Sequence, residues 1–170
     1  MAADYLSLSD PVYEEIENHV RATYKHSCIV WIEKIHNAVL EEQFRAYQAQ
    51  IQPPNVKRLF HGTSEPIARI IIREGFDPSK NKTSAHGLGV YFSQRAVYSK
   101  NYCHATPGQD YVYMLVCDVV VGRVGLGRAN QPIPPDCQSV TDNLKRPDMY
   151  VVNRREAALP RYLVAFYPKV

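Results

Sequence analysis

Apolar residues in the first quarter of the chain recur with two different periods. Val12, Ile16, His19, Val20 and Tyr24 return at helical spacing behind Asp10-Pro11, a capping carboxylate followed by the residue that suits the first helical position. A helix over 11–24 is predicted. Cys28-Ile29-Val30-Trp31-Ile32-Glu33-Lys34-Ile35 is instead β-branched and aromatic, and reads as a strand. Asn37 then caps a second helix carrying Val39, Leu40, Phe44, Tyr47 and Ile51, which Pro53-Pro54 stops. Further on, an amphipathic helix is predicted over 66–74, ending at Gly75 and offering Ile67, Ile70 and Ile71 to the core. A polar loop over 77–86 follows, then a short strand over 90–92, a helix near 95–102 and a long strand over 111–121. The stretch 123–146 is punctuated by glycine and proline and predicts an irregular excursion. Strands over 149–152 and 162–166 close the sheet, and no internal repeat is visible.

The middle of the chain carries the candidate chemistry. Leu59-Phe60-His61-Gly62-Thr63-Ser64 sets a His-Gly turn at a strand end, where a residue without Cβ leaves backbone N–H and C=O groups open to a ligand. Gly87-Leu88-Gly89-Val90-Tyr91-Phe92-Ser93 supplies a glycine-flanked tyrosine, and Ala96-Val97-Tyr98-Ser99-Lys100-Asn101-Tyr102-Cys103 presents Ser99 and Tyr102 on one helical face. Together they predict a slot that grips one flat ring through its carboxamide.

Read in order with Ser139-Val140-x-Asp142-Asn143 and Leu159-Pro160-x-Tyr162-Leu163, these motifs closely resemble the catalytic domain of the diphtheria-toxin-like ADP-ribosyltransferases, the poly(ADP-ribose) polymerase family. The segment 32–48 resembles the opening of the smaller, mono-modifying branch. The resemblance implies an α+β domain with a split, mostly antiparallel sheet and NAD in the cleft between its halves. It implies one domain over 1–170, with 1–55 as scaffold and 56–170 as the NAD-binding core. Too few residues precede His61 for the helical autoinhibitory domain of the DNA-dependent members, so control by DNA breaks is not expected.

By the same resemblance, His61 bonds the adenine-side ribose hydroxyl, Gly62 pairs with the nicotinamide carboxamide, and Ser99 adds a side-chain bond. Tyr102 stacks on one face of the nicotinamide and Tyr91 covers the other, while Thr63 and Ser64 belong to the same donor-binding set. The loop 77–86 leans over the donor. The catalytic positions are His61, Tyr91 and Met149. Met149 stands where chain-elongating members carry glutamate, whose carboxylate polarises the acceptor ribose hydroxyl. A thioether is at best a weak acceptor and cannot replace it, so polymer growth should fail. The resemblance thus favours transfer of single ADP-ribose units to protein, on Asp or Glu side chains that bring their own negative charge. Glu156 reads as a solvated charge beyond the strand. Asp77 replaces a basic residue near the donor phosphates and puts donor affinity in question.

Glycosidic cleavage of NAD releases a neutral ring and passes through a cationic sugar. It needs positioning and exclusion of water rather than a metal. Two other readings stand beside this one, a catalytically silent NAD-pocket or partner-binding module and a transferase acting on nucleic-acid ends.

Composition changes little in this picture. The chain has 170 residues, 45% of them apolar, enough for a real core. A net charge of +3, scattered along the chain, gives no support for a nucleic-acid partner. No apolar run is long enough to span a membrane, and the first residues lack the pattern of a signal peptide. A monomer in the cytoplasm or nucleus is expected. Cys28, Cys103, Cys117 and Cys137 have no metal or disulfide spacing and are expected to be buried free thiols. Gly122-x-x-Gly125-x-Gly127 lacks the order of a dinucleotide fingerprint, and His86 and His104 have no ligand partners at metal spacing.

Overall fold

The computed structural model describes residues 2–80, 84–103, 105, 108 and 110–167, with the side chain of Tyr102 left aside. Its elements follow the order β1 (Asp4–Tyr5), α1 (Pro11–Arg21), β2 (Cys28–Lys34), α2 (Ala38–Gln50), β3 (Val56–Thr63), α3 (Glu65–Glu74), β4 (Val90–Ser93), α4 (Ala96–Ser99), β5 (Val112–Val120), β6 (Val124–Leu126), β7 (Ser139–Thr141), β8 (Met149–Val152) and β9 (Ala158–Tyr167). Short 3-10 turns occupy Pro78–Lys80, Lys100–Tyr102 and Arg155–Ala157.

Local chemistry sets the helix starts. The Asp10 carboxylate accepts from the Val12 amide at 2.9 Å, with Pro11 opening α1. Asn37 accepts from the Leu40 amide at 3.1 Å, and its amide group also donates to the carbonyls of Ile72 and Arg73 at 2.9 and 3.2 Å. One side chain therefore starts α2 and satisfies the end of α3.

Among the described residues the strands form one sheet in the order β1-β2-β9-β5-β3-β4-β8-β7-β6, antiparallel throughout except for the parallel pair β6–β7. Successive residues of a strand face opposite ways, so the alternation sorts the core into two layers. Leu59, Tyr113, Leu115, Leu163 and Phe92 pack beneath α2 and α3. Phe60, Met114, Val116, Val164 and Phe166 pack against Ile16 and Val20 of α1.

Three expectations need correction. The excursion 123–146 is not wholly irregular, because β6 and β7 extend the sheet within it; three-residue strands carry no readable period. The last strand begins at Ala158, since Leu159 and Pro160 pair with Asp118 and Cys117 where the β5–β9 register shifts and a proline is tolerated. All four cysteines are free, but of them Cys117 alone is buried, while Cys28, Cys103 and Cys137 sit part-exposed at a strand start, after a turn and before a short strand.

The sheet is continuous yet split. β3 pairs with β5 along its whole length, from Val56↔Val120 to Thr63↔Tyr113, but meets β4 at the single pair Phe60↔Ser93. Among the described residues, no β3–β4 pairing continues past Phe60, and the two halves part at His61 and Gly62 while β3 stays paired with β5.

Candidate functional site

A cleft of about 480 Å³ opens where β3 and β4 part, within the usual size of small-molecule sites. β3 contributes His61, Gly62 and Thr63; β4 contributes Tyr91, Phe92 and Ser93. Ile67 and Ile70 of α3, Tyr98 and Ser99 of α4, and Met149 of β8 complete the central walls. His61, Gly62, Thr63, Tyr91, Ser99 and Met149 are thus brought together as the motifs predict. Ser64 is not on the wall, because the chain turns there into α3 and its carbonyl accepts the first helical bond, from Ala68 at 2.9 Å. The Tyr102 backbone closes the turn after α4, and its stacking role concerns a side chain outside the described residues. His104 and residues 81–83 of the predicted lid also lie outside them.

His61 faces the α3 layer, edge-on to Phe76 at 5.1 Å and tilted to Phe92 at 5.5 Å. Its Nδ1 lies 2.8 Å from the Tyr91 carbonyl oxygen. A carbonyl can only accept, so Nδ1 carries the hydrogen and Nε2 of the neutral ring is an acceptor. Burial lowers the pKa below 6.5, against the opposing effect of the Tyr91 carbonyl, and favours that neutral form.

Gly62 is not in a turn. It continues the β3–β5 ladder opposite Met114. The space of its missing Cβ is taken by the protein itself, since a Cβ there would lie 2.1 Å from the Ser99 carbonyl oxygen and 3.0 Å from Cys103 Sγ. The glycine lets α4 press onto β3, which brings Ser99, 3% exposed, against the cleft.

Tyr91 is tied as well as placed. Its hydroxyl donates to the Gly87 carbonyl at 2.7 Å and accepts from the His86 amide at 3.0 Å, while the ring packs against Ile133, Val140 and Val151. Met149, 5% exposed, faces Ser93 across β4–β8. Its carbonyl accepts from Thr141 Oγ1 at 2.6 Å, and its amide donates to Asp142 Oδ1 at 3.2 Å. Asp142 also holds the Asp148 amide at 3.0 Å, and Asn143 holds those of Lys145 and Arg146 at 2.9 and 3.1 Å. The Ser139-Val140-x-Asp142-Asn143 motif therefore builds the turn that delivers Met149.

Several wall residues escape the sequence patterns. Ile67 and Ile70, predicted for the core, are 52% and 38% exposed and face the cleft, leaving Ile71 and Ala68 to bury α3. Phe76, Lys80 and Arg155 line the same cleft. Arg155 Nη2 stands 3.8 Å from Asp77 Oδ2. Asp77 also accepts from the Ser79 hydroxyl at 2.6 Å and amide at 3.1 Å; chiefly these bonds, with Arg155 and Lys80 adding to them, hold its pKa below the usual range. Glu156 is not among the residues lining the cleft and pairs with Arg154 at 3.0 Å. Among the described residues, no cluster of three His, Cys, Asp or Glu is placed to hold a metal.

Comparison with known proteins agrees with this geometry. The family model of the poly(ADP-ribose) polymerase catalytic domain matches residues 11–140. The chain is 32% identical over 178 residues, 93% of its length, to protein mono-ADP-ribosyltransferase PARP14 of Homo sapiens. It is 28% identical over 99% of its length to a probable poly(ADP-ribose) polymerase of Dictyostelium discoideum, and 29% identical over 89% to protein mono-ADP-ribosyltransferase PARP10 of Mus musculus. It spans 10%, 51% and 18% of those three relatives. With the family model covering most of the chain, and the cleft lying at the split of a mostly antiparallel sheet, this chain belongs to the poly(ADP-ribose) polymerase catalytic-domain family.

Proposed function

We propose that the chain is an NAD-dependent mono-ADP-ribosyltransferase that transfers single ADP-ribose units to protein side chains, on Asp or Glu, and releases nicotinamide. The observation that carries this reading is Met149, a buried thioether lining the same cleft as His61, Gly62 and Ser99. It offers no carboxylate to activate a ribose hydroxyl, so the acceptor must arrive already nucleophilic. The carboxylate oxygen of the acceptor forms the new bond to the anomeric carbon, and the electron pair of the broken C–N bond leaves with a neutral nicotinamide. His61 Nε2 accepts a ribose hydroxyl, the Gly62 and Ser99 end holds the carboxamide, and apolar Ile67, Ile70 and Phe76 exclude water from the donor. These groups contribute positioning and desolvation. The names of the human and mouse relatives point the same way.

Incubating the pure chain with labelled NAD and a cell lysate tests the reading. Label is expected on protein as single units, suppressed by benzamide. NAD binding without any label transfer would instead mark a silent binding module.

A further inference from the structure

Asp77 puts a carboxylate on the cleft wall, and the fold brings a cation to it from a distant part of the chain. Arg155 opens the turn after β8, yet it lines the same cleft as Asp77 and Lys80. Its place is built. Nη1 donates to the Glu74 carbonyl at the end of α3 at 2.8 Å. Its stem lies over Gly75, where an added Cβ would stand 3.3 Å from Arg155 Cγ and where φ is +83°, a backbone angle that favours glycine. Two further acids stand nearby: Glu74, which lines the same cleft and meets Arg73 at 3.4 Å, and Glu156, paired to Arg154 at 3.0 Å. Asp77 faces Arg155 from the loop and is shared with Ser79. The charged pair sits just past Phe76, the ring that abuts His61.

We infer that Arg155, with Lys80 beside it, is the diphosphate-binding cation of this cleft, and that Asp77 competes with the diphosphate for it. This rests on the NAD reading of the cleft. The guanidinium fork matches phosphate oxygens in charge and geometry, which a lysine ammonium does only as a point charge. When a diphosphate enters, Arg155 exchanges the long contact to Asp77 for phosphate oxygens and keeps its bond to Glu74. The Asp77 carboxylate then faces the new negative charge across the cleft mouth and weakens binding.

Calorimetric titration of the full chain with NAD, ADP-ribose and benzamide tests this, because benzamide has no phosphate. Arg155→Gln is expected to weaken NAD and ADP-ribose by about 10-fold or more, the loss of a charged hydrogen bond, while benzamide binds as in wild type. Asp77→Asn leaves the cation in place and is expected to tighten both phosphate ligands with benzamide again unchanged. If Arg155→Gln fails to fold, Asp77→Asn still gives the answer. The assignment is overturned if Arg155→Gln binds NAD normally, if it loses NAD and benzamide alike, or if Asp77→Asn weakens NAD. ADP-ribose binding that depends on Arg155 in a chain that never transfers label would sink the proposed function and leave this assignment standing.

Discussion

At the residue scale, Gly62 and His61 do different work from what their motif alone suggests. Gly62 accommodates a carbonyl of the protein, since Ser99 O occupies the place of its Cβ. Gly62→Ala must push α4 off β3, and overpacking of this kind costs about 1–3 kcal/mol. Urea denaturation is expected to show that loss and benzamide titration a weakened slot; an alanine variant unchanged in both would refute the close approach. His61 makes a prediction about pH. Burial lowers its pKa, and that of His19, below the value of 6.5 they hold when exposed. As pH falls through 6.5 the unfolded chain takes up protons that the folded rings still refuse, so stability falls with pH until the folded rings titrate. Melting temperatures between pH 7 and pH 5 should therefore drop, and His61→Asn should flatten part of that slope. An equal slope in both proteins would show that the ring is not held neutral.

Elements reveal where sequence patterns stop being informative. α2, β5 and β8 follow their patterns within a residue or so, because α2 has its cap at Asn37 and β5 and β8 are apolar runs buried on both faces, whereas β3 runs on through the predicted His61-Gly62 turn to Thr63. His61, Gly62 and Ser99 were legible as cleft residues from their local motifs, although the turn expected at His61-Gly62 is a continuing strand and Tyr98 on the cleft wall was not singled out. α3 was legible as a helix but not as a wall: Ile67, Ile70 and Ile71 share one amphipathic stripe, and nothing in the stripe says which of them meets core and which meets cleft. Arg155 was invisible for another reason, since its partner Asp77 is distant in the chain and topology alone joins them. The stripe yields a test. Ile67→Ser with Ile70→Ser removes exposed apolar surface, so stability should stay within about 1 kcal/mol of wild type, as for surface positions. NAD affinity should nevertheless fall, because both residues line the cleft. Full donor affinity in that variant would place the donor elsewhere.

On the scale of the whole molecule, the single pair Phe60↔Ser93 joins two half-sheets, with the cleft proposed for the donor at the join and Met149 on its far side. Product length is then a property of that far side as a unit. Wild-type protein with NAD should give discrete single-unit adducts, released by neutral hydroxylamine where the link is an ester to Asp or Glu. Met149→Glu should not restore polymer. The new carboxylate would enter a position only 5% exposed, where burial disfavours its charged form, and it would share a turn with the Asp142 carboxylate that binds the Met149 amide. Both effects raise its pKa and favour the protonated carboxyl, which cannot take the proton of a ribose hydroxyl. The turn held by Asp142 and Asn143 would still present the same surface to an incoming ADP-ribose unit. Gel analysis of labelled products decides between outcomes: a smear of long chains from the wild-type protein would overturn the Met149 argument, long chains from Met149→Glu alone would show that the thioether by itself limits length, and hydroxylamine-resistant single units would move the acceptor away from Asp and Glu while leaving the single-unit product intact.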